Sequence, residues 1–246
     1  MVIWDHGSTD ETPTVINQFK NHLLEYQTIP RSFDFYKLYQ RMSNNIIEKY
    51  IHQYDWVSWP DQDEFLEGAS RDKSYVDFLE DVSKQGYDSI CFNNMNYWFT
   101  SEDDKSILSP VQRIHRYSIF PDCSPRIRSW RACATNIRKF NHNSVGRFQY
   151  PINFNLRHYP MRSHEQMLRR INFDQANLRK GRSNYHYDSM SQQMERLTLD
   201  ASSLHYDNFK DNLSLKIKFD WKRDIYKEFP EAGNWFNQIK KIIKFN

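Results

Sequence analysis

Three acidic side chains stand close together in the segment YDWVSWPDQDEFLEG (54–68), namely Asp61, Asp63 and Glu64. They follow WVSW (56–59), whose aromatic and apolar composition predicts a short buried strand. Carboxylates two residues apart on a tightly turning segment can point to the same side, and such hard oxygen ligands suit Mg²⁺ or Mn²⁺ held with waters and the phosphates of a substrate. The alternative is a solvated acidic turn, because D-x-D sequences are common. The position after a buried strand favours a metal and diphosphate site.

A second polar loop, DHGSTD (5–10), follows the short apolar run VIW at the start of the chain. Gly7 permits a tight turn, and Asp5 or Asp10 could accept hydrogen bonds from a base or a ribose. Ser, Thr and Asp before a helix are also ordinary turn and capping residues. On its own, this loop indicates function only weakly.

The elements that must position these loops alternate between strands and helices in the first part of the chain. Apolar periodicity and turn residues predict strands over 2–4, 56–59 and 88–99, and helices over 12–26, 42–54 and 72–86. This alternation predicts an α/β fold with a largely parallel sheet. Because ligands of open α/β sheets bind at the carboxyl ends of the strands, both polar loops are expected on the binding edge.

The second half of the sequence is less regular. Short strands and loops are predicted over 109–160, followed by a helix over 163–181 that Ser163 caps. We expect one domain over 1–184 and a C-terminal extension over 185–246 packed on it. The extension ends in an amphipathic helix (234–245) whose lysines could rest on an anionic membrane, although docking on its own domain is the favoured alternative.

Composition and charge limit the expected partners and the expected location of the protein. The net charge is +3, and the lysines and arginines are interspersed with acidic residues, so the composition does not predict nucleic-acid binding. Basic segments with nearby aromatic residues contain no recognisable nucleic-acid-binding module. Three irregularly spaced cysteines favour a reducing compartment. Since the chain opens with no signal-peptide pattern and has no apolar run of about 20 residues, a cytoplasmic protein is expected, with possible peripheral contact at a membrane surface.

Three blocks in order carry a resemblance to a known family. WDHGSTDET (4–12) resembles the D-D-G-S-T-D-x-T loop of family 2 glycosyltransferases, and WVSWPDQDEFLE (56–67) resembles their strand followed by D-x-D-E-F. NLRHYPMRSHEQMLRRI (155–171) is similar to the H-Y-P-x-R/K-S-x-E-Q-F segment of the family 2-like or family 92-like branch. The resemblance implies a GT-A fold, in which a mostly parallel, Rossmann-like sheet flanked by helices binds a nucleotide-sugar donor.

The resemblance also implies the reaction. A divalent cation, Mn²⁺ or Mg²⁺, is held at the D-x-D motif, and a sugar moves from a nucleoside diphosphate to a glycan, lipid-linked or protein acceptor, with inversion. Asp61 and Asp63 match the metal and diphosphate motif, and the resemblance implies that His158, which opens the third block, is a ligand of the metal or a contact to the diphosphate. Without the family, a lone histidine beside Tyr and Pro is more often a packed structural residue.

Further positions follow from the same blocks. Asp5, with Asp10 in its loop, matches the aspartate expected near the nucleoside, while Arg162 and Ser163 are placed to contact the diphosphate. The general base is a choice among Glu165, Asp103, Asp104 and Glu64, of which Glu165 lies in the third block. A plain capping box and a favourable first-turn charge explain Ser163 and Glu165 equally well without catalysis.

Two departures from the family pattern bear on activity. The family begins with a strand and an N-E loop ahead of the first block, whereas here Met1 lies four residues before Asp5, so the first βα unit is expected to be missing. His6 also replaces the usual second aspartate of the loop. The alternative function is therefore a non-catalytic remnant of a glycosyltransferase that binds a glycan or a partner.

Overall fold

The computed structural model describes residues 1–50, 52–119, 126–132, 148–163, 165–166, 168–169 and 201–209. The strands are β1 Val2–Asp5, β2 Glu25–Thr28, β3 Trp56–Ser58, β4 Glu64–Glu67, β5 Ser89–Trp98, β6 Arg116–Ile119, β7 Arg126–Arg131, β8 Phe154–Met161 and β9 His205–Tyr206. The helices are α1 Thr12–Gln18, α2 Phe35–Tyr50, α3 Tyr75–Lys84 and α4 Pro110–Arg113, with 3₁₀ turns at Lys20–His22 and Ala201–Ser203. The predicted terminal helix (234–245) and most of the predicted helix 163–181 lie outside the described residues.

The first strands form a small parallel sheet, β1–β2, with Trp4 opposite Gln27. The predicted helix over 12–26 is wrong in its second half, because α1 ends at Gln18 and Glu25–Thr28 forms β2. Of the apolar face expected for that helix, Ile16 is buried while Phe19 stays half exposed. Pairing with β1 therefore outweighs the local helical pattern.

The starts of the first two helices are set by aspartates. Asp10 Oδ1 accepts a hydrogen bond from the amide of Thr12, the first residue of α1, at 3.0 Å. Helix α2 begins well before the predicted start at Met42, since Asp34 Oδ1 accepts from the amide of Lys37 at 3.0 Å and so caps the earlier turn.

The larger sheet has seven strands built around β5. One edge of β5 pairs in parallel with β8, which pairs with β4; along the other edge, β7 follows the first half of β5 and β6 the second half. Beyond them lie β3, beside β7, and β9, beside β6.

The fold class is mixed α/β, but the mostly parallel sheet expected for GT-A is not confirmed. Among the strand pairings that the structure describes, β1–β2 and β5–β8 are parallel and the remaining ones are antiparallel. Strands and helices alternate only up to β3, because β4 follows β3 through a turn with no helix between them. The connection 99–115, which contains α4, then brings β6 back antiparallel to β5.

The helix predicted over 72–86 is confirmed as α3, which covers the first half of β5. Ser74 and Asp77 form a reciprocal capping box at its start, and Gly86, at φ +83°, follows its end. Its buried residues Leu79 and Val82 pack in one cluster with residues of β5 and β8, which include Ile90, Phe92, Phe154 and Leu156. The helix does not cover the second half of the same face of the sheet, which carries polar side chains.

Residues 201–209, from the predicted extension, pack on the sheet. Strand β9 pairs with β6, and the buried carboxylate of Asp207 accepts two hydrogen bonds from Arg71, at 2.9 and 2.7 Å, and one from Tyr97 at 2.5 Å. Burial and Asp207 both raise the pKa of Tyr97. Within the described ranges, no helix is long and apolar enough to cross a membrane.

Candidate functional site

A tight turn joins β3 to β4 and carries the acidic triplet. The Glu64 amide donates to the Asp61 carbonyl oxygen at 3.0 Å, and the Asp61 amide donates to Glu64 Oε2 at 3.0 Å. The Tyr159 amide donates to the carbonyl oxygen of Asp63 at 2.8 Å, which ties the turn to β8. The prediction that these carboxylates follow a strand is confirmed, and Glu64 itself begins β4.

Arg128 is the cation at the centre of the triplet. Its Nη2 donates to Asp61 Oδ2 at 2.6 Å and to Glu64 Oε1 at 2.5 Å. The side chain of Glu64 is 0 % exposed and that of Arg128 is 2 % exposed. Burial acts against the charge of Arg128, but Glu64 and Asp61 outweigh it and raise its pKa, so the guanidinium stays charged.

A β-bulge places Arg128 in the strand. Along the β5–β7 pairing, Ile90 lies opposite Ser129 and Cys91 opposite Ile127, so Arg128 is the additional residue. A bulge of this kind bends the strand and redirects a side chain. The sequence reasoning missed Arg128, and the available signal was an arginine within the otherwise strand-like run RIRSW (126–130).

His158 faces the turn from β8. It lies opposite Glu64 across the β4–β8 pairing, and its Nδ1 is 2.6 Å from Asn96 Oδ1 on β5. Because that amide oxygen can only accept, Nδ1 donates this hydrogen bond, and Nε2 is the ring nitrogen that faces the turn. His158 Nε2 is 3.7 Å from Asp63 Oδ2. An imidazole nitrogen and a carboxylate oxygen at this distance could share a cation between them.

The contacts of the triplet divide it into two parts. Asp61 and Glu64 are bonded to Arg128, whereas Asp63 lies beside His158. No group of three or more metal-ligating acidic, His or Cys side chains forms among the residues described. One carboxylate and one imidazole match the small number of protein ligands with which Mg²⁺ or Mn²⁺ commonly binds substrate phosphates and waters.

A buried amide lies on the same face of β5. Asn94 is 5 % exposed, and within the described part of the chain neither its Oδ1 nor its Nδ2 has a hydrogen-bond partner. Strand alternation puts Asn94 on the side of Asn96, which contacts His158. Buried amides normally find partners, so Asn94 indicates a polar group or water at this face.

The first polar loop is held by its own aspartates. Asp5 is buried; its Oδ1 accepts from the Ser8 amide at 3.0 Å and from Ser8 Oγ at 2.5 Å, while its Oδ2 has no partner within the described ranges. Asp10 is exposed, and its hydrogen bonds with Thr12 lower its pKa. Asp5 thus has one oxygen that could contact a ligand, whereas Asp10 holds the turn that leads into α1.

The third block forms a helix start. Ser163 Oγ accepts from the Gln166 amide at 3.1 Å, and Gln166 Oε1 accepts from the Arg162 amide at 2.8 Å. The carboxylate of Glu165, 83 % exposed, lies 3.9 Å from Arg169. The capping alternative for Ser163 is confirmed, and the contacts described for Arg162, Ser163 and Glu165 do not join them to the acidic triplet.

Two of the other acids considered as a general base, Asp103 and Asp104, lie in turns. Asp103 Oδ2 accepts from the amide and hydroxyl of Thr100, and Asp104 Oδ1 accepts from the amide and hydroxyl of Ser106. Both therefore stabilise the loop after β5.

No protein-family model matches the chain, and no curated protein matches it. The function is therefore inferred from the arrangement of the side chains together with the three sequence blocks.

Proposed function

We propose that the protein is a metal-dependent glycosyltransferase, which moves a sugar from a nucleoside diphosphate to a glycan, lipid-linked or protein acceptor with inversion. The observation that carries this proposal is the facing pair Asp63 and His158, 3.7 Å apart, beside the ion pairs of Arg128 with Asp61 and Glu64 that fix the acidic turn. The GT-A arrangement of the whole sheet is part of the proposal.

The residues have distinct roles in this scheme. When bound, Mn²⁺ or Mg²⁺ stabilises the negative charge of the departing diphosphate. Asp63 and His158 hold the cation, and Asn96 keeps the His158 lone pair on Nε2, which is the supporting role that outer-shell partners of ligating histidines play. Arg128 fixes the backbone turn through Asp61 and Glu64, because both carboxylates bond to it.

Donor and acceptor contacts complete the proposal. Asp5 Oδ2, which has no hydrogen-bond partner among the described residues, contacts the nucleoside, and Asp10 holds the loop. Arg162 and Ser163 contact the diphosphate. Glu165 is assigned as the general base, which takes the proton of the acceptor hydroxyl. Its carboxylate is exposed, and its distance of 3.9 Å from Arg169 is long for an ion pair, so the pairing can be exchanged for a substrate contact.

One observation favours the alternative, a non-catalytic protein that binds a glycan or a partner. Asp61, the first carboxylate of the D-x-D motif, is already paired with the buried Arg128 at 2.6 Å. The two cavities described both lie beside the β1–β2 sheet, and neither is lined by a residue of the acidic triplet. A protein that kept the triplet only to stabilise its turn would show the same ion pair.

Thermal unfolding with a panel of UDP, GDP and dTDP sugars and Mn²⁺ tests the proposal. A donor at about 100 times its Kd adds roughly 2.7 kcal/mol of stability in the wild type. Asp63→Asn removes a proposed ligand and abolishes the shift, whereas the exposed turn residue Asp104, changed to Asn, serves as the matched control and leaves the shift unchanged.

Turnover separates the two functions. Release of nucleoside diphosphate from the stabilising donor supports the transferase, and loss of this release in Glu165→Gln with binding intact supports its role as the base. Stabilisation without any release or transfer supports the binding protein. If no nucleotide sugar shifts the unfolding curve with Mn²⁺ present, the transferase proposal fails.

A further inference from the structure

A cavity of about 550 Å³ lies between α2 and the β1–β2 sheet. This volume is within the range of about 300–1,000 Å³ that small-molecule sites occupy. Residues from both elements line it, among them Trp4 and Gln27 of the strands and Lys37, Arg41, Asn44 and Lys49 of the helix. The lining thus combines cations, amides and one aromatic ring.

Glu25 holds the inner wall of the cavity together. Its carboxylate accepts from Trp4 Nε1 at 2.6 Å, Gln27 Nε2 at 2.8 Å and Lys49 Nζ at 3.1 Å. Asn45 Nδ2, at 3.0 Å, and Tyr50 Oη, at 2.9 Å, complete the set. Burial opposes the charge of Glu25, but these donors outweigh it and lower the pKa of Glu25 to about 2. The charge of Lys49 is therefore already compensated within the protein.

The two other cations are not compensated in this way. Lys37 and Arg41 are four residues apart on α2, so their side chains lie on one face of the helix, and both line the cavity. Among the residues described, no carboxylate forms an ion pair with either of them. Two cations on one helix face, with no acidic partner in the described part of the chain and with amide groups beside them, attract an anion.

We propose that this cavity binds a small ligand that carries a phosphate or carboxylate group. Arg41 and Lys37 bind the anionic group, since guanidinium and ammonium groups both donate to such oxygens. The amides of Gln27 and Asn44 contact polar groups of the ligand, and the ring of Trp4 packs against its apolar part. The site shares no residue with the acidic triplet, so it does not depend on the proposed transferase activity.

Calorimetric titration of the full chain without divalent metal tests this site. Inorganic pyrophosphate is the phosphate probe and citrate the carboxylate probe. We expect at least one of them to bind, and we expect Lys37→Gln and Arg41→Gln each to weaken binding roughly tenfold, as loss of a charge-assisted hydrogen bond does. Both positions are exposed, so the folded state is retained, and Arg41→Lys keeps the charge and loses less affinity than Arg41→Gln.

A control separates this site from general attraction to a basic surface. Lys84→Gln with Lys105→Gln removes two exposed cations elsewhere and matches the net charge of the Lys37→Gln and Arg41→Gln double variant. The control and Asp63→Asn are expected to bind the probe like the wild type. The site is disproved if neither probe binds more tightly than about 1 mM, or if the control weakens binding as much as the cavity variants do.

Discussion

Two glutamates, the partly buried Glu25 and the fully buried Glu64, are held in different ways. Five donors from β1, β2 and α2 surround Glu25, so the donors exceed what one carboxylate needs. Glu64 shares the guanidinium of Arg128 with Asp61, and Asp63 lies beside them. The first arrangement gathers many donors around one carboxylate and stabilises the fold, whereas the second gathers several carboxylates around one guanidinium, where we propose that a cation binds.

The largest expected effect concerns the shared guanidinium. Arg128→Met leaves the fully buried carboxylate of Glu64 without its cation, and breaking a buried pair in this way costs about 3–5 kcal/mol. Urea unfolding measures the loss. The double variant Arg128→Met with Glu64→Gln is expected to recover part of it, because no buried charge remains. A cost below about 1 kcal/mol, the value typical of surface pairs, would show that Arg128 does not hold the turn.

Glu25→Gln should cost less, of the order of 2 kcal/mol, the value of hydrogen bonds to a charged group. The amide keeps one acceptor oxygen but turns an NH₂ group towards donors such as Trp4 Nε1. Urea unfolding provides the comparison with Arg128→Met. Equal losses in both variants would remove the distinction between a donor-rich site and a site with a single cation.

The Glu25 site should also respond to acid. Its pKa is lowered from 4.5 to about 2 in the folded protein, so its contribution is complete above about pH 4.5 and is lost as the pH falls towards 2. We therefore expect the stability difference between wild type and Glu25→Gln to shrink over this interval. Chemical unfolding at closely spaced pH values measures it, and a difference that stays constant from pH 5 to about 2 would contradict the pKa shift.

The smallest effect is expected for Lys49, whose side chain is 52 % exposed although it contacts Glu25. Lys49→Gln should lower stability by at most about 1 kcal/mol, because solvent screens such pairs. Thermal unfolding at low and high salt measures this contribution. A loss as large as that of Glu25→Gln would mean that one ion pair, and not the set of neutral donors, stabilises the carboxylate.

Local features of the fold could be predicted from the sequence. Helix α3 has its capping residues and its stop, Ser74 and Gly86, within the same short segment, and β5 combines apolar and aromatic residues with three asparagines in one uninterrupted strand. Strand β2 could not be predicted, because Glu25–Thr28 continues a helical pattern and becomes a strand only through its pairing with β1. The antiparallel pairings of β5 likewise depend on contacts that are distant in sequence.

In the candidate site, too, some residues could be predicted from the sequence and others could not. The acidic triplet could be located because its residues are adjacent, and His158 was suggested by its block. Arg128 reaches the triplet from β7, where a β-bulge sets its position, and Asn96 reaches His158 from β5, so the arginine in a strand-like run was a signal that did not identify its partners. Their roles depend on strand register, which alternation alone does not fix.

Calorimetric titration of Mn²⁺ in the presence of UDP tests the central claim most directly. Wild type and Asp104→Asn are predicted to bind one Mn²⁺ with equal affinity. Asp63→Asn is predicted to weaken binding by at least about tenfold, because losing a ligand costs no less than losing an outer-shell partner, which costs 10–100-fold. Equal Mn²⁺ affinity in all three proteins, or no binding in the wild type, would contradict the claim that Asp63 and His158 hold a divalent cation.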